Sequence, residues 1–70
     1  MDYRIMEVKQ HAPDSLDGAI EIGQYDSAYK AMEHMMRVFV QRGQQPPPWY
    51  LIDPFDQILM GPDDLYDVAA

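Results

Sequence analysis

The chain has no cysteine and no threonine, and its only serines are Ser15 and Ser27. Disulfide stapling and a thiolate metal site are therefore excluded, so a small fold must hold itself together by packing, self-association or a partner. Neither serine sits in a Gly-x-Ser-x-Gly elbow or beside a histidine in sequence, which leaves nucleophilic catalysis without a candidate. The four glycines, Gly18, Gly23, Gly43 and Gly61, are scattered singly, so no loop is built to cradle a phosphate. No apolar run approaches the roughly 20 residues of a membrane helix, and Met1-Asp2-Tyr3-Arg4 opens no basic-then-apolar secretion leader. A cytoplasmic protein without membrane contact is expected.

Positive charge is also scarce. Five Lys and Arg stand against twelve Asp and Glu, a formal net charge of -7. Binding to phosphates draws its affinity from Lys and Arg releasing counterions, so direct contact with nucleic acid is not expected. The cations Arg4, Lys9, Lys30, Arg37 and Arg42 all precede a segment that carries Asp53, Asp56, Asp63, Asp64 and Asp67 with none to match them. Solubility is one use of such charge; a docking surface for a basic partner is the other.

What the 70 residues do contain fits one small α+β domain, residues 1–70. Tyr3 to Val8 reads as a first strand, and the Pro13 and Asp17-Gly18 region as a loop. Ala19 to Ile22 alternates as a second strand, with Ile20 and Ile22 on one face and Glu21 on the other. Asp26 or Ser27 can cap a helix in which Ala28, Ala31, Met32, Met35 and Phe39 recur at helical spacing. Met36 and Val40 are expected to widen its apolar stripe, His34 to lie on the polar side, and Gly43 to end it. Pro46-Pro47-Pro48 cannot continue a helix and reads as a stiff connector. Trp49 to Ile52 and Gln57 to Met60 then form a hairpin around Asp53-Pro54-Phe55-Asp56, with proline at the second position of a type I turn. Gly61 to Leu65 opens a short helical turn, and Val68-Ala69-Ala70 should fray.

The predicted fold is thus a small antiparallel sheet in β-β-α-β-β order, one amphipathic helix on a single face, and a short helical turn at the C-terminus. If Trp49 and Leu51 face the helix, Tyr50 and Ile52 point away, where Tyr3 or Met6 can join them in an apolar outer patch.

Two solitary histidines do not make a metal site, and the aspartates follow neither a calcium loop nor a glycosidase pair. No cofactor is expected, and no convergent acid, base or nucleophile points to an enzyme. The methionines are read as core, and Tyr25, Tyr29, Tyr50, Tyr66 and Trp49 lack the basic groove of a base-stacking platform. What remains is a monomeric or homodimeric module that binds a protein through Asp53, Asp56, Asp63, Asp64, Asp67 and Tyr66. In size and charge the chain resembles the compact acidic proteins with which phages and mobile elements block host defence complexes. That likeness implies a nucleic-acid mimic, an inhibitor or regulator seated on the basic groove of a nucleic-acid-handling protein. The alternative is an accessory subunit that docks through an apolar sheet face, with charge serving solubility only.

Overall fold

The structure, a computed structural model, describes residues 2–8 and 18–69; the expected loop around Pro13 and the imidazole of His11 lie outside the described residues. Strands β1 (Tyr3–Glu7), β2 (Ile20–Tyr25), β3 (Trp49–Ile52) and β4 (Ile58–Met60) form one sheet in the order β2-β1-β3-β4. All three pairings are antiparallel. Helix α1 (Ala28–Gln41) crosses one face, and the short helix α2 (Asp64–Ala69) follows β4. The predicted α+β class and element order are those observed.

Helix α1 begins where the sequence places its cap. The Ser27 hydroxyl oxygen accepts the Lys30 backbone N–H at 3.2 Å, with Ser27 itself extended. It ends in a Schellman arrangement: the Gln44 N–H donates to the Phe39 carbonyl at 2.9 Å and the Gly43 N–H to the Val40 carbonyl at 3.1 Å. Gly43 takes a φ of +71°, which glycine adopts without steric cost.

Ala31, Met35 and Phe39, four residues apart, are buried against Ile5, Leu51, Met60 and Leu65. Burying a side chain of this size contributes about 1.5–3 kcal/mol, so this stripe is the main source of cohesion. Val40 does not join it and is 62 % exposed. It stands five residues beyond Met35, about 140° around a helix of 3.6 residues per turn, which turns it away from the sheet.

The other sheet face differs from expectation in two ways. Tyr50 and Ile52 do point away from α1, with Met6 beside them, yet together with Val8 they form a second buried cluster rather than an open patch. Tyr3 packs on the helix side instead. In β2 the register jumps: Ile5 faces Gly23 while Met6 faces Glu21, so Ile22 is an extra residue in a bulge. The bulge breaks the alternation that would align Ile20 with Ile22, and both remain exposed.

Asp53 holds the hairpin turn. Its carboxylate accepts the N–H groups of Phe55 and Gln57, each at 2.8 Å, while its carbonyl accepts the Asp56 N–H at 3.1 Å. Pro54 occupies the position its fixed φ favours. Leu65 anchors α2 in the core, and the Phe39 and Tyr66 rings meet edge to face at 5.5 Å. That anchoring carries α2 through Val68 and Ala69, which were expected to fray. No helix among the described residues is long and apolar enough to cross a membrane.

Candidate functional site

Two places on this scaffold gather chemistry, at opposite edges of the sheet. One is the C-terminal edge formed by β4 and α2, where the sequence concentrates its aspartates. The structure assigns them different work. Asp53 is committed to the turn just described. Asp56 is ion-paired with Arg4, whose guanidinium also lies 3.9 Å from Glu21. The Asp64 carboxylate accepts the Gly61 N–H at 2.7 Å and so fastens the start of α2. Asp63, just before α2, and Asp67, on it, are exposed, and their carboxylates have no hydrogen-bond or ion-pair partner among the described residues. Tyr66 lies between them in sequence, its ring against Phe39 and half in water. Close by in the chain, Phe55, Ile58, Leu59 and Val68 expose large apolar surface.

The other place is at the β2 edge. Gly23 has no side chain, and the Tyr25 ring folds back over it: a Cβ built on Gly23 would lie 2.9 Å from the Tyr25 hydroxyl oxygen. From there the hydroxyl reaches Nδ1 of His34 in a hydrogen bond, with the two ring centroids 5.9 Å apart. His34 in turn meets Trp49 edge-on at 5.5 Å, and the Trp49 indole N–H donates to the Glu7 carboxylate at 3.0 Å. Burial pushes the Tyr25 phenol pKa up, an effect that the nearby Arg37 guanidinium partly offsets. A phenol that keeps its proton can donate to Nδ1, which leaves the proton of a neutral imidazole on Nε2.

Beside these rings runs an open groove of about 350 Å³ lined by Tyr25, Lys30, Glu33, His34 and Arg37. Lys30, His34 and Arg37 are spaced four and three residues apart and therefore share one face of α1. Each cation is tethered to the acid four residues before it: Lys30 to Asp26 at 3.1 Å and Arg37 to Glu33 at 3.1 Å. These pairs are more than half exposed, so they contribute little and exchange readily.

His34, expected on the solvent side of α1, is instead half-buried between two aromatic rings. The basic stripe at positions 30, 34 and 37 was the signal available. The pairing of Tyr25 with His34 was not, because it depends on where β2 ends relative to α1. Among the described residues no group of three His, Cys, Asp or Glu side chains could hold a metal ion. No family model, curated protein or solved structure matches the chain.

Proposed function

We propose that this protein is a binding module for another protein, and that its docking surface is the β4 and α2 edge. One observation carries the reading. Of the nine large apolar side chains left exposed among the described residues, five (Phe55, Ile58, Leu59, Tyr66 and Val68) fall in the same stretch as Asp63 and Asp67, whose carboxylates are unpaired among those residues. Scattered surface hydrophobics need no explanation, and charge alone can serve solubility. Apolar groups gathered beside charge match the apolar centre and polar rim of a protein interface. The complementary partner offers a basic rim to Asp63 and Asp67 and an apolar seat for Leu59 or Phe55. In its most concrete form the protein is an inhibitor or regulator that occupies the basic groove of a nucleic-acid-handling protein, its aspartates standing where phosphates would lie.

The test starts with capture of the partner from the native cell and continues with the purified pair. Asp64 fastens α2, so the charge reversal that spares the fold is Asp63→Lys with Asp67→Lys. Affinity should fall about tenfold or more in this variant and should weaken as ionic strength rises. Unchanged affinity at low salt would remove the electrostatic part of the reading.

The exposure of Phe55, at 71 %, also supports the second reading, an accessory subunit held by apolar contact. That subunit would dock through Phe55 and Leu59 rather than through Tyr50 and Ile52, which are buried. Phe55→Ser with Leu59→Ser would then abolish binding while the aspartate variant and added salt leave it intact.

A further inference from the structure

The groove at the β2 edge has no part in that docking surface, and its lining is unlike the rest of this acidic molecule. We infer that it is a binding site for a small planar acid: a flat ring carrying a phosphate or carboxylate. The geometry supplies each half of the ligand. Tyr25 and His34 present two rings inclined at 58°, which makes a wall against which another ring can lie. Along the same face Lys30 and Arg37 stand seven residues apart, about 10.5 Å of helix rise, so a cation is within reach from either end of the groove. A guanidinium fork suits carboxylate or phosphate oxygens, and the Tyr25 hydroxyl oxygen, its proton given to His34, can accept from a donor on the ring. Glu33, also in the lining, can accept from an amino group on the ring. The volume of about 350 Å³ falls at the small end of known ligand sites, which suits one ring and its acid group.

The competing forces set the expected strength. A net charge of -7 repels anions at long range, so affinity must come from contacts inside the groove. Asp26 and Glu33 must also share their cations with the incoming acid. A dissociation constant of about 0.1–1 mM, weakening with salt, is the consequence.

The chain contains a single tryptophan, Trp49, whose ring touches His34, so its emission reports on the groove without a label. The full chain is titrated at low salt with phenyl phosphate, with benzoate and with inorganic phosphate, following Trp49 emission and amide chemical shifts. Saturable changes at Tyr25, His34 and Trp49 with either ring acid support the site, and whichever binds tighter identifies the acid it prefers. Lys30→Gln and Arg37→Gln alter side chains that are 62 % and 61 % exposed, so the fold should survive, and each should weaken binding about tenfold. Three outcomes would overturn the inference: no saturable change with either ring acid up to about ten times the expected dissociation constant, inorganic phosphate binding as tightly as the ring acids, or both variants binding like the wild type.

Discussion

Gly23→Ala measures how much of the β2 edge depends on one missing methyl group. A Cβ at this position would sit 2.9 Å from the Tyr25 hydroxyl oxygen and 3.0 Å from the adjacent ring carbon, closer than non-bonded atoms tolerate. The ring is the free end of a side chain, so it swings away, and the backbone stays in place. That motion breaks the hydrogen bond to His34, a net loss of about 1 kcal/mol, and the ring contact, about 0.5–1 kcal/mol more. Against it stands the smaller entropy of an alanine in the unfolded chain, which favours folding by about 0.4–1 kcal/mol. The losses win by about 1 kcal/mol, so thermal unfolding followed by circular dichroism should move down by about 4–8 °C. Gly61→Ala is the matched comparison. There the added carbon would lie 2.9 Å from Cε2 of Tyr50, whose ring is buried and cannot swing out, so overpacking costs about 1–3 kcal/mol. A Gly23→Ala protein as stable as the wild type, with the Tyr25 phenol still titrating late, would refute the account of this edge.

Two further outcomes follow from the packing of Met35 and Tyr25. Met35 is wholly buried, so Met35→Ala should cost about 2–5 kcal/mol, as much as a core of this size supplies in total; urea unfolding should show the variant largely unfolded, and an unchanged midpoint would place Met35 outside the core. The Tyr25 phenol, raised by burial and partly offset by Arg37, favours the folded state while protonated: that contribution is complete below about pH 10 and is lost as pH rises through the folded value, so Tyr25→Phe should remove one late phenolate absorbance step together with part of the alkaline loss of stability.

The elements that were legible in the sequence are those whose signals are local and mutually consistent. Ser27, the 31/35/39 stripe and Gly43 each point to the same helix, and Asp53-Pro54 marks the hairpin turn with its own hydrogen-bond acceptor. Three details differ from the sequence expectation, and two of them, the bulge and His34, depend on tertiary placement. The bulge at Ile22 follows from how β2 registers on β1, and nothing in Ile20-Glu21-Ile22 announces it. Val40 looks apolar in the helical window, but its azimuth faces away from the sheet. His34 sits on the flank of α1 rather than its outer face, and only the arrival of Tyr25 and Trp49 from two different strands encloses it. The aspartates show the same limit: composition counts them as equals, whereas Asp53 and Asp64 bond backbone amides and Asp56 pairs with Arg4.

The strand order has a consequence for how the two surfaces behave together. It puts β2 and β4 at opposite edges, three strand spacings or about 14 Å apart. At physiological ionic strength the screening length is about 8 Å, and Lys30 and Arg37 are already paired with Asp26 and Glu33, so they do little to neutralise the field at Asp63 and Asp67. The molecule is electrically lopsided: an approaching basic surface is drawn to the α2 side and meets cations at the groove. An acid seated in the groove changes the charge of the far edge hardly at all, and a partner on β4 and α2 leaves the groove open. Binding at one place should therefore leave affinity at the other unchanged unless an element that touches both, α1 or β3, shifts between them. Coupling between the sites, measured by titrating the ring acid with and without the partner, would show that such a shift occurs.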